Sequence, residues 1–206
     1  MKRFSLSSLV LGALAASLFL FAGNGLAQTN SALADLLSQL KSNSTNSGDT
    51  LLQSLGNELG SKVKALNKSL AGSPESQAQL NTALHALLGN QGGESLAALQ
   101  KLSAARLTPE QTKLAKDVTQ VGSAYLVQKN FASLEGSQSD VAQMVNSLRK
   151  GNYTDALPAV QKISQNAKLT TEQKDLLASV ANQLAPAASK VGGALKGLKS
   201  LPGLGK

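Results

Sequence analysis

Cysteine and tryptophan are both missing from the 206 residues of this chain, and His85 is the only histidine. A chain without thiols has no disulfide framework, no thiolate zinc site and no cysteine nucleophile. A single imidazole excludes a metal centre built from several histidines. We therefore expect no bound metal and no cofactor.

Aromatic residues are almost as scarce, at 3% of the chain. Beyond residue 27 the only ones are Tyr125, Phe131 and Tyr153. Proteins that bind single-stranded nucleic acid stack bases on several aromatic rings. The composition therefore disfavours nucleic acid as a partner.

The N-terminus matches a secretory signal peptide. The basic residues Lys2 and Arg3 precede an uncharged apolar run over residues 9–21, and Gly25-Leu26-Ala27 supplies small residues at the positions that a signal peptidase reads. We expect cleavage after Ala27 and an exported chain, periplasmic or extracellular, that is soluble after cleavage. The alternative is an uncleaved anchor, for which the run is shorter than the roughly 20 residues of a bilayer span.

Basic charge is concentrated at the C-terminus. The last acidic residue is Asp175, and residues 186–206 form a glycine-rich tail. Its four lysines are Lys190, Lys196, Lys199 and Lys206. Such a segment can bind an anionic membrane surface, where each lysine contributes about 1 kcal/mol. The alternative is a flexible end that only keeps the chain in solution.

Leucine and alanine recur every three or four residues, which predicts an all-α fold. In the N-terminal region, residues 28–72, we expect a short helix over 33–40, a polar linker at 42–49 and a longer helix over 52–70 interrupted by Gly56 and Gly60.

Two tandem three-helix units follow, over residues 73–130 and 136–185. Leu96-Ala-Ala-Leu99-Gln-Lys-Leu102 returns as Leu157-Pro-Ala-Val160-Gln-Lys-Ile163, and Gly89-Asn90 returns as Gly151-Asn152. The offset is 62 residues at the ends of the unit and 61 in its middle. We expect the units to stack as helical hairpins, because each is too small to bury its own apolar face. Twelve positions are expected in the core: Leu84, Leu88, Leu96, Leu99, Leu114, Val118, Met144, Leu148, Leu157, Val160, Leu176 and Val180.

The segment Gly151-Asn-Tyr-Thr-Asp-Ala-Leu157, with Val160 and Lys162, resembles the helical hairpin of tetratricopeptide repeats. That resemblance implies closely packed antiparallel helices that bind a peptide or partner protein.

Leu107-Thr-Pro-Glu-Gln111 and Leu169-Thr-Thr-Glu-Gln173 resemble the paired motif of periplasmic chaperones of the Spy/CpxP type. The same residues also match a capping box, in which Thr and Gln satisfy free backbone groups at a helix start. We interpret both segments as caps.

No residue pattern predicts catalysis. His85 lies among leucines near a helix end, and Ser61-Lys-Val-Lys64 lacks the companion motifs of a serine–lysine enzyme. Gly92-Gly93 lacks the residues of a phosphate loop, and Glu172 and Asp175 have lysines nearby, which favours a solvated surface.

These patterns together predict an exported, non-enzymatic interaction or scaffold module of the cell envelope that binds a protein or peptide. One alternative is a membrane-surface protein that uses the cationic tail, and another is a periplasmic chaperone.

Overall fold

The computed structural model describes the backbone of residues 25–46 and 48–188 and the side chains of residues 32–45 and 48–186. This part of the chain holds eight helices and no strand, so the protein is all-α, as predicted. The helices are α1 (Gly25–Asn46), α2 (Thr50–Ser69), α3 (Pro74–Leu88), α4 (Gly92–Ser103), α5 (Pro109–Phe131), α6 (Gln138–Lys150), α7 (Tyr153–Ser164) and α8 (Thr171–Ala188). Most of the predicted signal peptide, and the tail beyond residue 188, lie outside the described residues.

The predicted polar linker at 42–49 is mostly helix, because α1 continues to Asn46. Ser44 is buried and donates its hydroxyl proton to the carbonyl of Leu40 one turn earlier, so the helix itself satisfies this polar side chain. The prediction failed because a segment rich in Ser and Asn has the composition of a loop. A serine hydroxyl can instead donate to a backbone carbonyl one turn earlier, and the helix then continues through the segment.

Asp49 begins α2. Its Oδ1 accepts the amide protons of Leu51 and Leu52, at 2.8 and 3.0 Å, and its Oδ2 accepts from Gln128 Nε2 at 2.6 Å. Burial by itself raises the pKa of this carboxyl, but the three hydrogen bonds outweigh it and hold the pKa below its ordinary value. Because Gln128 lies at the far end of α5, the same carboxylate also fixes α2 antiparallel to α5.

Leucine, alanine and valine supply most of the core, and Tyr125 and Phe131 are its largest fully buried side chains. Burial raises the pKa of the Tyr125 phenol, and a hydrogen bond with Ser44 opposes it. Ten of the twelve expected core positions are buried. Leu88 and Leu114 are only partly buried, because Leu88 is the last residue of α3 and Leu114 lies early in α5, and both pack at the margin of the core.

Most buried residues of α3 and α4 have a buried counterpart 61 positions later, in α6 and α7. In α3 and α6, five buried pairs share this offset: Leu80/Val141, Ala83/Met144, Leu84/Val145, Ala86/Ser147 and Leu87/Leu148. In α4 and α7 the pairs are Ser95/Ala156, Leu96/Leu157, Leu99/Val160 and Leu102/Ile163. The offset becomes 62 only at the start of α5 and α8.

This register corrects the pairing of Gly89-Asn90 with Gly151-Asn152. The left-handed residues of the two turns are Asn90 (φ 61°) and Gly151 (φ 71°), which are 61 positions apart. In each turn the next residue, Gln91 or Asn152, donates its amide proton to a carbonyl five residues earlier. These bonds end α3 and α6 in the same way. The two Gly-Asn dipeptides are identical in sequence but lie 62 positions apart, so pairing them shifts the alignment of the turns by one residue.

Helices α3 and α4 pack together as one hairpin and α6 and α7 as another. Helix α5 packs against α2, α4 and α6, and α8 packs against both α4 and α7. Helix α1 packs against α2 and α3. Within the described residues, Ala97 of the first hairpin and Pro158 of the second are exposed. No helix in the described part of the chain has the length and apolar character needed to cross a membrane.

Candidate interaction groove

The residues that a catalytic function would use are not gathered in the described structure. His85 is exposed on α3, Ser61 donates its hydroxyl proton to the carbonyl of Asn57 at 3.0 Å, and Lys62 forms an ion pair with Asp117 at 3.3 Å. Among the described side chains, no three His, Asp or Glu residues are arranged to hold a metal ion.

Gly92 and Gly93 begin α4 and line a depression of about 210 Å³ that Glu94, Glu172 and Asp175 also border. The pKa of the Glu172 carboxyl is below its ordinary value, because its own backbone amide and the Thr170 hydroxyl donate to it. Glu172 and Asp175 are both exposed, as expected of a solvated surface. The lysines predicted to contact a membrane, Lys190, Lys196, Lys199 and Lys206, lie outside the described residues.

The two Leu-Thr-x-x-Gln segments are capping boxes, as predicted. Thr108 and Thr170 each donate an amide proton to the Gln three residues later at 3.0 Å, and each hydroxyl accepts an amide proton from that residue. The sequence did not reveal a second role of these glutamines. Gln111 Nε2 donates to the carbonyl of Ser69 at the end of α2, and Gln173 Nε2 donates to that of Asn130 near the end of α5, both at 2.6 Å.

Three polar side chains from different helices form one hydrogen-bonded network in the interior. The Ser123 hydroxyl lies 2.7 Å from Gln183 Oε1, and Gln183 Nε2 donates to the Tyr153 hydroxyl at 3.3 Å. This network joins α5, α8 and α7.

The main concave surface of the first hairpin is a groove along the outer side of α3 and α4, which we call the α3–α4 groove. Two adjoining depressions of about 510 and 560 Å³ form it, and both are lined by Glu75, Gln79 and Lys101. Ala78, Ala97 and Ala98 line the part near the hairpin turn, beside Glu94, and Arg106 lies at the opposite end.

Side chains that cross the second hairpin are missing from the first. Asp140 on α6 accepts a hydrogen bond from Lys162 on α7 at 3.1 Å, and Gln143 Nε2 donates to the carbonyl of Asp155 at 3.3 Å. These two bonds join α6 to α7 on their outer side.

When the hairpins are aligned at the offset of 61, the first hairpin has Gln79, Lys101 and Thr82 at the positions equivalent to Asp140, Lys162 and Gln143 of the second. The Thr82 hydroxyl bonds back to Ala78 within α3, and within the described residues Lys101 forms no ion pair. The Gln79 Oε1 atom is buried there without a hydrogen-bond partner. The first hairpin is instead held from its buried side, where the Ser95 hydroxyl donates to the Ala83 carbonyl at 2.8 Å. Its outer groove therefore stays open.

The groove residues were not among the sequence candidates. The residue pairs that form side-chain bonds in one hairpin and not in the other are found only when α3 and α6 are aligned at an offset of 61. The sequence analysis had aligned the hairpin turns at an offset of 62, which pairs the wrong residues.

Comparison of the chain with protein-family models, curated proteins and solved structures gives no significant match.

Proposed function

We propose that the chain is an exported, non-enzymatic interaction module of the cell envelope, and that it binds a protein or peptide partner in the α3–α4 groove. In this proposal residues 73–130 and 136–185 are tandem helical units stacked as hairpins. The N-terminal signal pattern supports export, and the shared burial at an offset of 61 supports the tandem units.

The observation that carries the proposal is the contrast between the two hairpins. In the second hairpin, the outer face is crossed by the Asp140–Lys162 pair, so a ligand there must first displace a bond within the protein. In the first hairpin, the α3–α4 groove has an alanine surface and a lysine that no described carboxylate engages. Small side chains allow a partner backbone to approach closely, and free polar groups at the rim give it direction.

The non-enzymatic part of the proposal is supported by how the candidate groups are used. The Ser61 hydroxyl is already bonded to a backbone carbonyl, and the Lys62 ammonium to the carboxylate of Asp117. A nucleophile requires an adjacent base that a third group orients.

The test is site-specific photocrosslinking in the producing cell. A photoreactive amino acid is placed at Ala97 in the groove, and the matched control carries it at Pro158, the equivalent exposed position of the second hairpin. We expect a discrete envelope protein to be crosslinked from position 97 and not from 158. Equal crosslinking from both positions, or none from position 97, contradicts the proposal.

A further inference from the structure

We propose that the partner of the α3–α4 groove is a protein segment whose carboxylate binds Lys101. In the second hairpin the equivalent lysine, Lys162, is bound by Asp140 of the chain itself. This inference rests on the proposed function and specifies the chemistry of the partner.

The second hairpin provides an internal example of the contact. Lys162 and Lys101 lie at the same position of α7 and α4, two helices that share four buried pairs at the offset of 61. Asp140 satisfies Lys162 from within the chain at 3.1 Å. Gln79 replaces that carboxylate in the first hairpin with a neutral amide. Glu75 and Glu94 line the same groove, but among the described residues neither forms an ion pair with Lys101, so the position that Asp140 fills in the second hairpin is left for a carboxylate of the partner.

Charge along the groove defines which end accepts the carboxylate. The end away from the hairpin turn carries Lys101 and Arg106 against the single carboxylate of Glu75. The end at the turn carries Glu94, beside the depression bordered by Glu172 and Asp175. An acidic group is therefore favoured near Lys101 and a basic group near Glu94.

The spacing of these charges constrains the segment. Glu94 and Lys101 are seven residues apart on one helix, which corresponds to a rise of about 10 Å. An extended chain advances about 3.3 Å per residue, so the acidic and basic residues of the segment are expected about three positions apart. The floor of alanines between the charges favours small or apolar side chains between them.

The experiment uses the exported chain and a display library of random 12-residue peptides. Peptides selected for binding are sequenced, and one is synthesised for affinity measurements by titration calorimetry. We expect the selected peptides to share an Asp or Glu about three positions from a Lys or Arg, with small or apolar residues between.

Three variants then locate the contact. Lys101→Gln is expected to weaken binding about tenfold, the size of one charge-assisted hydrogen bond. Gln79→Asp is expected to weaken it as well, because the new carboxylate engages Lys101 as Asp140 engages Lys162. Lys162→Gln is the matched control in the second hairpin and should leave affinity unchanged. Circular dichroism verifies that each variant is folded.

The outcomes separate this inference from the proposed function. Selected peptides that lack a shared acidic residue, or that bind the Lys101→Gln variant as tightly as the wild type, overturn the inference alone. The same holds if no peptide is selected while position 97 still crosslinks an envelope protein. If both the selection and the crosslinking fail, the proposed function fails with it.

Discussion

Two glycines on the same face of α2 should respond in opposite directions to substitution by alanine. Gly56 packs against α1, where a Cβ atom would overlap the Ser44 hydroxyl and lie 2.9 Å from Ser44 Cβ. Gly60 lies one turn later, where the nearest atom to a new Cβ is Leu37 Cδ2 at an ordinary 3.8 Å. The two positions share a helix and differ in the space beside them.

In a helix interior, alanine is more stable than glycine by about 0.5–1 kcal/mol, because glycine loses more backbone entropy on folding. Gly60→Ala should gain this amount, which raises Tm by about 2–4 °C for each kcal/mol in a chain of this size. Gly56→Ala gains the same helix preference but overfills the α1–α2 contact, at a cost of about 1–3 kcal/mol. The net expectation for Gly56→Ala is a loss of up to about 2.5 kcal/mol.

Urea unfolding followed by circular dichroism measures both changes. A Ser44→Gly, Gly56→Ala double variant should recover part of the loss, because it removes the atoms with which the new Cβ collides. The reasoning is refuted if Gly56→Ala is as stable as Gly60→Ala, since the expected difference comes from the collision with Ser44 of α1.

Four further substitutions test three local features of the fold, each by urea unfolding. Gln111→Glu keeps the acceptor of the capping box but loses the donor to the Ser69 carbonyl, so it should destabilise the chain by about 1–2 kcal/mol, and unchanged stability would contradict the bond to α2. Asp49→Ala should cost about 1 kcal/mol at pH 7. Because the pKa of Asp49 is lowered in the folded chain, the carboxylate stabilises the fold at neutral pH, and the difference from wild type should shrink as the pH falls through that pKa. Gly151→Ala forces a side chain into a left-handed conformation and should cost about 1–2 kcal/mol, whereas Asn90→Gly at the equivalent turn should change stability by less than about 0.5 kcal/mol.

Much of the fold was predictable, because its local signals are strong. Pro74 and Pro109 at helix starts, and leucines at intervals of three and four, placed α3 and α5 where the structure has them. The pattern failed at 42–46, where the polar side chains of Ser and Asn resemble a loop although Ser44 is buried in a helix–helix contact. Burial of a small polar residue depends on what packs against it, and the local sequence does not contain that information.

Sequence motifs did not predict the α3–α4 groove, for a different reason. Its defining feature is a bond that one hairpin makes and the other does not, between residues such as Asp140 and Lys162 that are 22 positions apart. Asp140 and Gln79 have no distinctive sequence pattern around them, and the tetratricopeptide resemblance that includes Lys162 does not indicate its partner. Only the shared register of buried positions brings the two hairpins into comparison.

The side-chain amides of Gln111 and Gln173 affect how the ends of the long helices unfold locally. Each joins the first turn of one long helix to the closing turn of the long helix before it, so α2, α5 and α8 are connected in series by their ends. If the start of α5 frays, the Ser69 carbonyl loses its partner at the same moment. Helix termini normally open independently, but these junctions couple fraying at one end of the molecule to the next helix along.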